Sequence, residues 1–333
     1  MHDIRELLGA EIWNYSIFYR EKILSPMRYL IQALMTFIKL VKSRPDIVIV
    51  QNPPIFAALT CLVYSVLYRT RVVIDHHFIW SMSGFIRNPI VKSFIRAVEE
   101  FCIRNAYLNM TYSDDWEREL ARIGAERTLT IYDFVDKSWM EGADLSVRER
   151  FPKDKKVILM PCGTGNPLER PDLLIEASKG EKDLIVVVTG NPKHLKEHIK
   201  KARRLNASNI VFPGFLPDAQ YRGLIATCDF IVNVSDEPYG IPHVITEGLA
   251  AGRPLILSEN PSIKKVLGED YPLLIPHNDV ENVRRVLSTA IKRESKFTNL
   301  MEKIYRDLKD RRGRQIERLL RLLRLKNLNL EKG

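Results

Sequence analysis

The 333-residue sequence has no Cys-x-x-Cys pair; its four cysteines, Cys61, Cys102, Cys162 and Cys228, stand far apart. That spacing argues against a thiol metal site or a disulfide scaffold and points to buried free thiols in a reducing compartment. Long apolar runs are also missing. The longest, residues 55–68, contains Thr60 and Ser65 and is too short to span a bilayer, and no segment at the start reads as a signal peptide. The expected location is therefore cytoplasmic. No Asp-x-Asp metal motif occurs, so neither a metal nor another cofactor is expected. Internal repeats, low-complexity segments and nucleic-acid motifs are lacking too. Yet 51 Lys and Arg against 41 Asp and Glu leave a net charge of +10. Such a balance calls for an anionic partner, a diphosphate substrate or acidic lipid, with nucleic acid ranked last.

What is present is enough chain for two domains, each with its own core. Short β-branched runs alternate with helix-like stretches, the grammar of doubly wound parallel sheets. In the first half, residues 46–50, 71–75, 108–112 and 128–132 read as buried strands. The helix from Ser25-Pro26 has apolar residues Met27, Leu30, Leu34, Phe37, Ile38 and Val41 at helical spacing. Residues 137–156 are polar and broken by Gly142 and Pro152, so 141–156 is the expected linker between domains 1–140 and 157–296. Residues 297–333 read as a basic C-terminal helix with Leu319, Leu320, Leu322, Leu323 and Leu325 between arginines. Such a helix either lies on an anionic membrane or is a solvated terminal helix.

The most informative stretch is 229–258, DFIVNVSDEPYGIPHVITEGLAAGRPLILS. A buried strand is followed by turn chemistry at Gly240 and Pro242, then by a helix with small residues Gly248, Ala250 and Ala251. Gly252 and Pro254 end it before the next strand. A unit of this kind sets a helix start at the carboxyl edge of a parallel sheet, where ligands of open α/β folds bind. Glu247 then reaches that edge; the plain alternative is a solvated helix residue.

These residues resemble the donor segment of GT-B-fold glycosyltransferases, family 4 above all, through Glu237, Tyr239, Gly240, Pro242, Glu247, Ala250, Gly252 and Pro254. The resemblance implies two Rossmann-like doubly wound domains, the first for an acceptor and the second for a nucleotide-diphospho-sugar. It implies that Glu247 binds the ribose hydroxyls. The turn Tyr239, Gly240, Ile241, Pro242, His243 and Val244 would face the diphosphate and sugar. Local spacing assigns Glu237 to the first, catalytic carboxylate, although the family's usual separation falls on Tyr239. In the loop 161–171, Gly163-x-Gly165 lacks a third glycine, position 168 being Leu, so a dinucleotide fingerprint is not formed. Glu169-Arg170 matches the family's Glu-Lys ahead of the Asp-Leu-Leu-Ile-Glu-Ala helix, while the family's earlier Arg has no counterpart. Gly165, Asn166 and Arg170 are the donor-binding residues expected from this loop, Arg170 with helix N–H groups taking the diphosphate charge in place of a metal.

The N-terminal half is similar to the β-1,4-mannosyltransferases that elongate chitobiosyl-diphosphodolichol, through Val50-Gln51-Asn52-Pro53-Pro54 and Val73-Ile74-Asp75-His76-His77. That likeness implies a lipid-linked acceptor and sets His77 at the family's histidine. A histidine there acts as base or sugar ligand, or simply caps the following loop. Residues 78–87, FIWSMSGFIR, are apolar enough for a membrane or partner surface, or fold back on the sheet, the favoured reading. Residues 1–24 have room for one strand and a turn and hold only Gly9. The first sheet is therefore expected to lack its opening strand–helix unit, through truncation, a partner chain that completes it, or a compact acceptor site.

The reading is a metal-independent hexosyltransferase, cytoplasmic and peripheral at the membrane face. Its rivals are a nucleotide-sugar epimerase and a non-catalytic GT-B subunit that binds a nucleotide-sugar or a partner enzyme. Sugar transfer to an added acceptor separates them.

Overall fold

The computed structural model describes residues 8–13, 25–77, 79–82, 86, 88–163, 166–292 and 297–324. The chain divides into two compact units, residues 1–132 with 313–333, and residues 133–312. Each holds a parallel sheet between helices, so the chain carries two Rossmann-like α/β units.

The first sheet has β1 (Ile47–Asn52), β2 (Arg71–His76), β3 (Leu108–Thr111) and β4 (Thr128–Thr130), paired in that order. In β2 the pleat sends Val72 and Ile74 to one face and Val73 to the other. Val72 and Ile74 meet Leu40, Ile55, Ala58, Tyr64 and Cys102 from the helices Ser25–Ser43, Ile55–Tyr68 and Pro89–Asn105. Val73 meets Leu108, Met110 and Leu129, together with Leu319 and Leu323 from the last helix, Thr298–Leu322, and its end. Helix boundaries follow local chemistry. Asn88 Oδ1 accepts from the N–H groups of Ile90 and Val91 ahead of Pro89–Asn105, and Ser113 Oγ accepts from Asp115 N–H. Gly124, at φ 111°, ends Asp114–Ile123 in a conformation glycine adopts without a Cβ clash. Among the described residues β1 pairs only with β2. The expectation of a missing opening unit falls largely on residues 1–7 and 14–24, outside the described residues.

The second sheet is larger. Its strands β5 (Lys156–Pro161), β6 (Leu184–Thr189), β7 (Ile210–Gly214), β8 (Phe230–Asn233), β9 (Leu255–Ser258) and β10 (Leu274–Ile275) lie in the order β10-β9-β8-β5-β6-β7. The order reverses between β5 and β8, which makes this the topological switch point, the place where open α/β sheets bind ligands. Phe230, Ile231 and Val232 are wholly buried, which explains why β8 reads as a continuous apolar run.

Two sequence expectations change. The stretch 141–156 is part of the second unit's outer layer. Asp144 N–H donates to Ala219 O at 2.8 Å, Val147 is buried, and Arg222 donates to the carbonyls of Trp139 and Glu141. Its polarity is that of a solvated layer. The arginine–leucine pattern of the last helix is also core and capping chemistry. Leu319, Leu320 and Leu323 are buried, and Arg311 donates to the carbonyls of Lys265 and Val266 at the end of helix Pro261–Leu267. Those leucines offer no apolar face to a membrane. In the apolar loop, Ile79 is buried and Met82 exposed, while residues 78, 83–85 and 87 lie outside the described residues. All four cysteines are buried and free.

Candidate functional site

The carboxyl edges of β5 and β8 are stitched together by backbone. Arg170 N–H donates to Val234 O at 2.8 Å and Asp236 N–H to Leu168 O at 2.9 Å, so Glu169 and Ser235 form an antiparallel bridge. The loop after β5 is pinned in turn. Asn166 Oδ1 accepts from Leu168 N–H at 3.0 Å, which commits that side chain to the turn. Gly190, following β6 at φ 138°, lies against Cys162 so closely that a Cβ would overlap the Cys162 carbonyl. Gly165 lies outside the described residues.

The loop after β8 rests on side chains from the next two strands' ends. Asn278 Nδ2 donates to Ser235 O and to Asp236 Oδ1, both at 2.8 Å, and Asn278 Oδ1 accepts from Ser258 Oγ. Asn260 Nδ2 donates to the carbonyls of Glu237 (3.2 Å) and Gly240 (2.9 Å) while its Oδ1 caps Ile263. Within this turn Glu237 is half-buried; burial raises its pKa, opposed by the Tyr239 N–H. Its stem lies under Gly240, where a Cβ would overlap Glu237 Cγ. Tyr239, Ile241 and Pro242 are partly buried, and His243 is exposed at the start of helix Val244–Ala250. Gly248 in that helix allows close packing, since a Cβ there would sit 2.6 Å from Leu255 Cδ2.

Glu247 is the buried carboxylate of the site. It is only 8% exposed, and its Oε2 accepts from the Tyr221 hydroxyl at 2.6 Å. The His243 Nε2 is 3.9 Å from Oε1, and His243 Nδ1 is 3.9 Å from Asp133 Oδ2. Burial raises the Glu247 pKa, and the Tyr221 bond partly opposes that. The solvated-residue alternative for Glu247 is thereby removed. Tyr221 comes from helix Asp218–Thr227, mid-helix and without any motif, so nothing local in the sequence marks it.

Arg170 differs from its expected role as a ready cation. Its guanidinium donates twice to Asp172, at 3.1 Å each, and once to Asp236 at 2.9 Å. Both carboxylates hold the guanidinium, Asp172 while also meeting Lys201 Nζ at 3.7 Å, and the contact to Asp236 ties the two loops. Beside it, burial pushes the Glu169 carboxyl up to about 7, opposed by a bond with Cys162.

In the first unit the two histidines at the end of β2 part company. His76 is buried: Nε2 meets Asn109 Oδ1 at 2.8 Å and Nδ1 meets Asn52 Nδ2 at 3.1 Å. Asn52 can only donate there and Asn109 Oδ1 only accept, so the proton sits on Nε2 and the ring is neutral. Burial lowers its pKa to about 4 against the Asn109 bond. His76 therefore ties three strands together. His77 is partly exposed, its Nε2 3.5 Å from Asp75 Oδ2, with Tyr112 beside it. It is the accessible imidazole of this sheet edge. No group of three His, Cys, Asp or Glu suited to a metal ion occurs among the described residues.

Residues 143–307 match the family model of glycosyl transferases group 1, and residues 3–132 match the glycosyl transferase 4-like domain. Solved structures share the fold at low identity. Anabaena HepE in complex with UDP and glucose has TM-score 0.72 and 17% identity over 86% of this chain and 81% of that one. Sucrose-phosphate synthase of Thermosynechococcus elongatus has TM-score 0.75 and 15% identity, covering 95% and 81%. A glycosyltransferase of Rickettsia africae has TM-score 0.68 and 15% identity, covering 99% and 88%. No curated protein matches the sequence. With one glycosyltransferase model on each half of the chain, and solved glycosyltransferases sharing the two-unit α/β fold, the protein belongs to the GT-B, family 4-like glycosyltransferases.

Proposed function

We propose that this glycosyltransferase takes its sugar from a UDP-sugar and passes it to a lipid-linked acceptor without a metal ion. The observation that carries the donor half is Glu247, a buried carboxylate beside the β5–β8 switch point with its orientation set by Tyr221. A carboxylate so placed accepts two hydroxyl protons from a ribose, the hydrogen-bond pattern of a nucleoside's sugar edge. UDP is the nucleotide seen with HepE, and the shared fold supports the same choice here. The diphosphate falls to the turn at Gly240, Ile241, Pro242, His243 and Val244 and to Arg170, which exchanges its single bond to Asp236 for phosphate while Asp172 keeps it oriented. The sequence has no Asp-x-Asp, and Arg170 is the cation within the two stitched loops.

In the acceptor unit His77 is the residue proposed to meet the acceptor hydroxyl, as base or hydrogen-bond partner, with Asp75 holding its other side. The lipid-linked acceptor rests on the mannosyltransferase-like residues 50–54 and 73–77. The test is calorimetric titration with UDP and a panel of UDP-sugars, followed by product analysis with lipid-diphosphate-linked acceptors. Binding of UDP that falls at least about tenfold in Glu247→Gln supports the donor site. Undiminished affinity in a folded Glu247→Gln variant removes Glu247 from it. Sugar release only to water, or interconversion of the UDP-sugar, overturns the transfer reading.

A further inference from the structure

Three helices of the first unit turn apolar residues to solvent. On Ser25–Ser43, Met27, Leu30, Leu34 and Ile38 recur every three or four residues and are exposed, Leu30 to 71%. Phe37 and Leu40, farther round the helix, meet the core. Helix Ile55–Tyr68 has no charged residue and exposes Val63, Val66, Leu67 and Tyr68, Val66 to 82%. Helix Pro89–Asn105 exposes Ile90, Val91, Phe94 and Phe101, Ile90 to 80%. Aromatic rings join the three. Tyr29 and Phe56 are 5.3 Å apart and Phe56 and Phe94 6.5 Å apart, centroid to centroid. A continuous apolar surface of this extent is rare where only water covers it.

Charge says what covers it. No Asp or Glu occurs in residues 25–45 or 47–74, whereas Arg28, Lys42, Arg44 and Arg69 lie along these helices or at their ends, and Lys39 is paired with Glu11. The third helix adds Lys92, Arg96 and Arg104. Of its two acids, Glu99 is buried and accepts from Ser81 N–H, and Glu100 is held by Arg96 and Arg104. A second copy of the chain on this face would set one basic rim against another. Anionic lipid answers both the apolar centre and the basic rim.

We infer that the outer face of these three helices lies on an anionic bilayer, its apolar side chains at the headgroup–acyl boundary and its Lys and Arg residues on lipid phosphates. None of the described helices is long and apolar enough to cross a membrane, so the contact is interfacial. The inference stands on this surface alone and does not depend on the donor or acceptor proposed above.

The test is co-sedimentation of the full chain, without substrate, on phosphatidylcholine vesicles with and without phosphatidylglycerol. Binding is expected on the mixed vesicles and falls as salt rises. The triple variant Leu30→Ser, Val66→Ser, Ile90→Ser should lose at least about tenfold in partitioning, because interfacial affinity scales with apolar area inserted. All three side chains face solvent, and an unchanged melting temperature confirms the fold. A second variant, Lys42→Glu with Lys92→Glu, should lose the preference for phosphatidylglycerol. No binding to mixed vesicles, or equal binding by wild type and both variants, overturns the inference. So does a dimer that the triple variant dissolves while vesicles are ignored, since the face would then belong to a second protein chain.

Discussion

Glu247 shows how burial sets one residue of an ordinary type apart as a candidate. Its carboxylate is buried, which disfavours the charged form, and the Tyr221 hydroxyl supplies a hydrogen bond that partly compensates. Because its pKa is raised, UDP affinity through the ionised carboxylate is expected to decline on acidification already above the usual carboxylate range. Titration against UDP across pH should show that decline in wild type and a flat profile in Glu247→Gln. Glu169 offers a stability test of the same physics. A carboxyl raised by burial stabilises the fold while protonated and loses that contribution as pH climbs to its folded value, about 7. Urea unfolding at about pH 5 and about pH 8 should therefore show wild type losing up to about 3 kcal/mol that Glu169→Gln does not lose. Equal pH dependence of the two would place Glu169 in contact with solvent instead.

At the scale of the element, the turn between β8 and helix Val244–Ala250 is held by its neighbours more than by its own sequence. Asn260, Asn278 and Ser258 all bond into it from strand ends later in the chain. Gly240 is needed there because Glu237 occupies the space a Cβ would take. Gly240→Ala should therefore cost about 1–3 kcal/mol in stability or an equivalent part of UDP affinity, through overpacking. Adding Glu237→Ala should restore most of it; a double variant as weak as the single would show that the backbone, and not the side chain, sets the requirement. Calorimetry and thermal unfolding read both arms.

Across the molecule, the last helix carries more structure than its basic composition suggests. Its first half buries Met301, Ile304, Tyr305 and Leu308 with the second unit, and its end buries Leu319 and Leu323 in the first unit's core. Arg71 and the Tyr107 hydroxyl donate to the carbonyls of Leu323 and Leu322, closing the helix end. Leu319→Ala should destabilise the first unit by about 2–5 kcal/mol, the cost of lost transfer energy plus a cavity. The UDP binding proposed for the second unit should stay unchanged. Thermal unfolding followed with and without UDP checks this, and a loss of under about 0.5 kcal/mol would mean the leucine is solvated.

Local chemistry by itself determined the alternation of strands and helices. β-branched runs such as 184–189 and 230–233, caps such as Asn88 and Ser113, and the stop at Gly124 act over a few residues, so they are legible in order. The Glu-x-aromatic-Gly-x-Pro turn and Glu247 were legible for the same reason, as was the family likeness they carry. Only tertiary structure decided which equivalent-looking residues do which work. Arg170 meets a carboxylate 66 positions away, Glu247 meets a tyrosine 26 positions back, and one of two adjacent histidines is sealed in a network across three strands. The leucines of the last helix and those of helix Ser25–Ser43 share a helical spacing, yet the former fill a core and the latter meet solvent. Periodicity states that a helix has an apolar face; what that face lies against is settled by chain segments far away in sequence, through the burial they complete.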